Sequence, residues 1–331
     1  MSLEGGPEDQ GASVTPGNWQ DPPFNRWAYW HVGEFLPVYR VPRGAGPARV
    51  LPPSAGPADL LGIGLARSDG SAGTVGDVLA DTFTDAYVVL QDGELVAQWY
   101  GTLGAADRTH ALMSVSKSVL GCVAAVLIDR RQLDPDREIT GYVPELAASG
   151  YAGATVRHVL DMRSGVRFVE EYANPQAEIR LLDQWLGWQA DDRGYQPGGL
   201  YQFLTTLQAE APHGSRFLYR SAESDVLGWV CERAAGAPIA GLISALVWEP
   251  MGAEHDADLL HDGAGTAVHD GGLCATARDV ARFGQMLLDG GAVPDGAGGT
   301  RRVVPPRWLR QGWAVESDTR AAFAASPAEW A

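Results

Sequence analysis

Lysine is all but missing from this chain. Of its 25 Lys and Arg residues one is a lysine, Lys117, and the other 24 are arginines. A usage rich in Ala, Gly, Arg and Asp explains the scarcity as a coding bias, but not the one lysine that is kept. Cysteine is scarce as well. Cys122, Cys231 and Cys274 stand far apart, which excludes a disulfide framework and a cysteine metal knuckle. Cys122 falls in an apolar run and reads as a buried thiol, so the expected setting is reduced and cytoplasmic. Positive charge is in deficit: a net charge of −16 opposes the phosphates of nucleic acid and argues against an anionic membrane. Long apolar runs are missing too. "VLGCVAAVLI" (119–128) stops well short of the roughly 20 residues a spanning helix needs. The opening "MSLEGGPEDQGASVTPG" lacks the basic and apolar blocks of an export signal. No G-x-x-x-x-G-K-[ST] occurs, no G-x-G-x-x-G follows a strand, and H-E-x-x-H and G-x-S-x-G are absent. Phosphate-loop, dinucleotide, zinc-peptidase and α/β-hydrolase readings fall away together.

What is present is ample core material. Over 331 residues, 45% are hydrophobic and 20% charged, enough for one large domain or two smaller ones. Residues 1–20 are Gly/Pro-rich and acidic and read as a mobile arm. The aromatic stretch "NRWAYWHVGEFLPVYRVPRG" (25–44) reads as a segment packing along the body, and 45–80 as mostly loop. "DAYVVLQDGELVAQWYG" (85–101) carries two apolar runs around Asp92-Gly93, a strong hairpin signal. Helical patterns follow at 115–131, 155–163, 176–188, 199–209, 223–235, 238–248 and 276–289, separated by breakers such as "DPD" (134–136) and "YQPGG" (195–199). A hairpin followed by a helical stretch predicts an α/β body with a helical insert, not serial βαβ units.

The kept lysine lies three residues after Ser114, in "MSVSKSVLG" (113–121). If a helix starts at Ser114, the two share a face. A serine hydroxyl is a poor nucleophile until a base takes its proton. A lysine amine, its pKa lowered by burial, can do so, and an arginine cannot. S-x-x-K alone is a weak signal, expected about once in a chain of this length, and a solvated lysine on a helix is the competing reading. Tyr219, just before a helix that Ser221 or Ser224 can cap, is a second candidate. Its phenol can pass a proton to a leaving group, although a half-buried tyrosine with a satisfied hydroxyl is the ordinary reading. The neighbouring pairs Glu170-Glu171 and Asp191-Asp192 read as solvated loop charge rather than paired glycosidase carboxylates. The His-Asp dipeptides at 255–256, 261–262 and 269–270 lie in a Gly-rich, loop-like stretch without helical ligand spacing, so no metal is assigned.

Four motifs in order carry a resemblance: "MSVSKS" opening a helix, "LDMRSGVRF" (160–168), "YRSAESDVLGW" (219–229) and "GGLCATARDVARFGQMLLDGG" (271–291). In this order they resemble the serine β-lactamase/penicillin-recognising superfamily. The nearest likeness is to the 6-aminohexanoate-dimer (nylon-oligomer) hydrolases and related esterases of the class C type, which "NRWAYWHVGEFLP" strengthens. The resemblance covers roughly residues 18 to 331. It implies a β-lactamase/DD-peptidase-like α/β fold, with an antiparallel sheet flanked by helices. The body would comprise 21–130 and 241–331, with an all-helical domain at 131–240. It also implies Ser114 as acylated nucleophile, Lys117 as its base and Tyr219 as the second-motif tyrosine. Tyr172, Asp183 and Asp270 fall where the nylon-oligomer subgroup contacts substrate. The second motif commonly ends in Asn, a position matched here to Glu223. A third motif, Lys-Thr-Gly or His-x-Gly, would follow the "TARD" helix on a strand. The triplets at 261–263 and 269–271 come too early to serve, and the chain reaches Ala331 about where such strands would start. The expected sheet therefore keeps the 85–101 hairpin and lacks its C-terminal strands, leaving open edges through which a homodimer can form.

The expected function is that of a serine hydrolase acting through an acyl-enzyme on small linear amides or carboxyl esters, without cofactor. The rival is a non-catalytic or truncated relative without turnover.

Overall fold

The computed structural model describes residues 13–55, 59–189 and 198–326. At its centre lies the helix Val115–Asp129, whose residues 122–127 are buried without a break. Such a helix, apolar all round, has to be covered on every side. The helix Ser221–Ala235 packs against it, as do the helix Ile239–Ile243 and its continuation through Trp248. Buried side chains from the whole length of the chain join one continuous cluster.

Beside the central helix runs a four-stranded antiparallel sheet in the order 38–41, 257–260, 273–275, 110–111. It draws its strands from both halves of the chain. Strands of two to four residues are too short to show alternation, and none was predicted. The 86–91/94–100 hairpin forms as expected, with Asp92 and Gly93 at positive φ. It stands as its own two-stranded sheet, however, which corrects the expectation that it would be what remains of the main sheet. Within 45–80, read as mostly loop, the strand pair 64–66/72–74 and the helix Val75–Asp81 are present. Thr74 and Asp77 close a capping box there, a pairing that the T-x-x-D spelling announces.

Residues 1–12 of the expected arm lie outside the described residues. Trp19 is fully buried, edge-on against Tyr29 and Trp188, which corrects the expectation of a mobile arm reaching residue 20. The 25–44 segment does pack along the body, and 38–41 joins the sheet.

The helix Ser221–Ala235 buries charge in its first two turns. Glu223, fully buried, accepts from Arg220 Nη1 at 2.8 Å and from Ser164 Oγ at 2.7 Å. Burial pushes its carboxyl up to about 7, against the pull of Arg220 and Ser164. It faces inward. Removing one partner of a buried pair strands the other. Glu223→Ala is therefore expected to destabilise the fold by about 3–5 kcal/mol, read from equilibrium denaturant unfolding. A loss under about 1 kcal/mol, as for a surface pair, would contradict the pairing.

Candidate active site

Ser114 sits at a sharp corner between the strand 110–111 and the central helix. Met113, just before it, is held at φ +46, a left-handed conformation that a non-glycine residue adopts only under constraint. Two contacts supply that constraint. Ser116 Oγ donates to the Met113 carbonyl at 2.6 Å and accepts from Leu273 N at 3.1 Å. The strand itself is buttressed by the aromatic segment. Ala111 N donates to Tyr29 O at 2.8 Å, and Trp30 lies edge-on to His110 at 4.6 Å. Ser114 is left exposed at the start of the helix, with Lys117 three residues on along the same face.

Lys117 Nζ donates to Ser114 Oγ at 2.9 Å, Ser221 Oγ at 3.2 Å and the Asp270 carbonyl at 2.8 Å, and it also bonds with the Tyr219 phenol. The Asp270 carboxylate stands 3.7 Å away. Tyr219 Oη donates to Ser114 Oγ at 2.8 Å, and its ring lies 5.2 Å from Nζ. Arg220 is extended (φ −147, ψ 119), so Tyr219 and Ser221 project to the site and Arg220 projects away from it into the core. The helix starting at Ser221 has no side-chain cap. Ser221 instead accepts from Lys117 through its hydroxyl oxygen and donates its proton to Glu170. The second-motif position that meets the lysine is thus Ser221, not Glu223.

Asp270 is delivered by a buried scaffold. Asp225 Oδ1 accepts from the backbone of His269 at 3.0 Å and of Asp270 at 3.1 Å. Gly228 lets the His269 ring lie against its helix, where a Cβ would collide with that ring. Burial pushes the His269 imidazole down to about 3. The other His-Asp dipeptides are also built into the fold. Asp262, for example, accepts from Leu200 N at 2.7 Å and Thr266 N at 2.8 Å. Among the described residues, no group of three or more His, Cys, Asp or Glu side chains is arranged to hold a metal ion.

The expectation of a lowered lysine pKa is corrected. Burial does push Lys117 down, but Asp270, Tyr219 and Glu170 together outweigh it and leave the amine above its ordinary value. The resting lysine is an ammonium, a form the sequence could not reveal because its partners lie far along the chain. Glu170 is also corrected. Far from being solvated, its carboxylate accepts from Ser221 N at 2.8 Å, Ser221 Oγ at 2.8 Å and Tyr172 Oη at 3.0 Å. Burial raises it, and those bonds oppose the rise. Nothing in the adjacency of two glutamates signals this, although Phe168, fully buried two residues earlier, anchors the segment.

The structure thus gathers Ser114, Lys117, Tyr219 and Asp270 within hydrogen-bonding reach. Tyr172, more than half exposed, joins them through Glu170. Asp183 stands further out, buried and held by Arg180 at 3.0 Å. Burial pushes it up to about 7, and the charges of Asp270 and Asp21 add to the rise while Arg180 opposes it. The Asp191-Asp192 pair lies outside the described residues.

A hydroxyl held between an amine and a phenol, on a helix beside an antiparallel sheet, defines a serine hydrolase. The chain belongs to the Beta-lactamase family, whose profile matches residues 75–326. It is 39% identical over 295 residues to the 6-aminohexanoate-dimer hydrolase of Paenarthrobacter ureafaciens, covering 88% of this chain and 70% of that protein. A shorter match, 29% over 152 residues, links it to esterase EstB of Burkholderia gladioli, covering 44% of this chain and 37% of the esterase. A Bacillus anthracis structure described as a 6-aminohexanoate-dimer hydrolase superposes with a TM-score of 0.86 at 27% identity. That match covers 95% of this chain and 80% of the other. The penicillin-binding protein homologue of Pyrococcus abyssi shares the fold, at a TM-score of 0.56 and 16% identity over 72% of this chain and 58% of that one.

If Lys117 must shed a proton to act as base, kcat/KM rises with pH from neutrality into the alkaline range, because its raised pKa keeps the ammonium populated. Asp270→Asn removes the largest raising charge, so the rise moves to lower pH. A pH–rate profile on an ester substrate measures both. A wild-type plateau across neutral pH, or an unmoved Asn profile, would exclude this role.

Proposed function

We propose that the chain hydrolyses small linear amides or carboxyl esters through an acyl-enzyme on Ser114. The observation that carries this reading is the convergence of Lys117 Nζ and Tyr219 Oη on one serine oxygen, at 2.9 and 2.8 Å. In the productive form Lys117 has lost a proton. Ser114 Oγ bonds to the substrate carbonyl carbon as its proton passes to Lys117. Tyr219 protonates the leaving amine or alcohol as the carbon–nitrogen or carbon–oxygen bond breaks, and Lys117 replenishes the phenol. Water then attacks the acyl carbon, giving its proton to the Lys117–Tyr219 pair, and Ser114 departs with a proton. Backbone N–H groups at the helix start, including that of Ser114, hold the oxyanion. Such a donor is worth about 10²–10³ in rate.

Tyr172, Asp183 and Asp270 are assigned to substrate contact. Asp270, whose carboxylate stands beside Lys117, is the one of these that offers negative charge to a ligand with an ammonium end, as in an amino-acid oligomer. The hydrolase and esterase names of the relatives support this substrate class. A reduced cytoplasmic setting is supported by Cys122, Cys231 and Cys274, all unpaired and buried. Among the described residues no single helix is long and apolar enough to cross a membrane.

A fluorophosphonate probe and p-nitrophenyl acetate, applied to wild type, Ser114→Ala and Lys117→Arg, test the reading. Labelling and turnover are expected in wild type only, with turnover in both variants reduced by about 10²-fold or more. Equal labelling of Ser114→Ala would overturn the nucleophile assignment. A folded wild type with no turnover would favour the non-catalytic alternative.

A further inference from the structure

Resting on the acyl-enzyme reading, we propose that Glu170 is a positioning residue that aims the lone pair of Lys117 at Ser114 by fixing the direction of the Ser221 hydroxyl. An ammonium has three donors and no acceptor, and three oxygens receive them here: Ser114 Oγ, Ser221 Oγ and Asp270 O. When the ammonium loses a proton, one of the three oxygens has to turn donor toward nitrogen. The Asp270 carbonyl has no proton to give. Ser221 has one, 3.2 Å from Nζ, and on its own would compete with Ser114 on equal terms.

Glu170 removes that competition. Its carboxylate is acceptor-only when ionised, and Oε1 takes the Ser221 hydroxyl at 2.8 Å while Oε2 takes the Ser221 N–H at 2.8 Å. The two bonds hold Ser221 by both backbone and side chain, with its proton turned away from the lysine. Ser114 is then the one oxygen of the three that can donate to the neutral amine, and that donation is the proton transfer the acyl-enzyme needs. The Tyr219 phenol also bonds with Lys117, and it donates to Ser114 Oγ at 2.8 Å, so it reinforces the same oxygen. Tyr172 adds a third donor to the carboxylate at 3.0 Å, which ties the exposed tyrosine to the same switch.

The charged and titratable groups felt by Lys117 are Asp270, Tyr219, Glu170 and the buried Asp225. Losing the negative charge of Glu170 therefore moves the titration of Lys117 to lower pH, while losing the direction of Ser221 lowers the rate of the neutral form. The two effects separate in a pH profile.

Glu170→Gln places an amide where the carboxylate was. Its N–H group can donate to Ser221 and release the serine proton toward Lys117. The expected result is a fall of about ten- to hundredfold in the high-pH limit of kcat/KM, part of the range general-base catalysis spans, with the rise displaced to lower pH. Glu170→Asp, which keeps the charge, is expected to keep the wild-type midpoint. Ser221→Ala removes the competing hydroxyl, so Glu170→Gln is expected to cost the high-pH limit less in a Ser221→Ala background than in the wild type. A thermal melt of each variant separates unfolding from misdirection, and Glu170→Asp, whose shorter carboxylate draws back from Ser221 and should lower the high-pH limit at an unchanged midpoint, carries the test should Glu170→Gln unfold. An unchanged high-pH limit in a folded Glu170→Gln, or an equal loss from Glu170→Gln with and without Ser221→Ala, with Ser114→Ala inactive, would overturn the role of Glu170 alone. Wild-type turnover by Ser114→Ala would instead overturn the acyl-enzyme reading itself.

Discussion

Everything around the site depends on keeping one ammonium inside the protein. Burying a cation is costly unless its donors are bonded and its charge matched. Lys117 meets both conditions with oxygens from residues 3, 104 and 153 positions along the chain. Meeting them requires the central helix, the start of the Ser221–Ala235 helix and the 269–270 turn to arrive in fixed register. Asp225 and Gly228, both on the second of these elements, fix the third against it. The packing of the molecule and the protonation of one side chain are thus a single constraint.

That constraint also explains why a chain otherwise built with arginine keeps a lysine here. A guanidinium presents five donors in a rigid plane and does not deprotonate in proteins. Three oxygens around a compact nitrogen suit the ammonium, and only a group that can lose its proton can take one from Ser114. Negative neighbours favour the charged form of the lysine and so compensate the cost of burying it.

Much of this was legible in the sequence, and its limits have a physical pattern. Ser114 and Lys117 were readable because helical spacing alone brings them together. The long helices were readable from sustained periodicity, and the hairpin from Asp92-Gly93. Features formed by distant residues escaped. The short strands of the main sheet carry too few residues to alternate, and the direction of the Lys117 shift is set by Asp270 and Glu170, which no local pattern ties to it. The buried role of Glu170 is not legible, because adjacency on a loop says nothing of what folds over it. Glu223 was matched to the motif by position, whereas the extended backbone at Arg220 aims Ser221 at the site.

The main sheet carries a consequence for the order in which the protein is made. The strand 110–111 that precedes Ser114 pairs with 273–275, and 38–41 pairs with 257–260. Both pairings close long loops, which is slow and comes late. A ribosome-bound chain that has emerged only through its first 250 or so residues already displays Ser114 and Lys117, but has neither the strand that braces the corner nor the Asp270 carbonyl. The corner that carries Ser114 is therefore braced only once residues 270–275 have joined the fold.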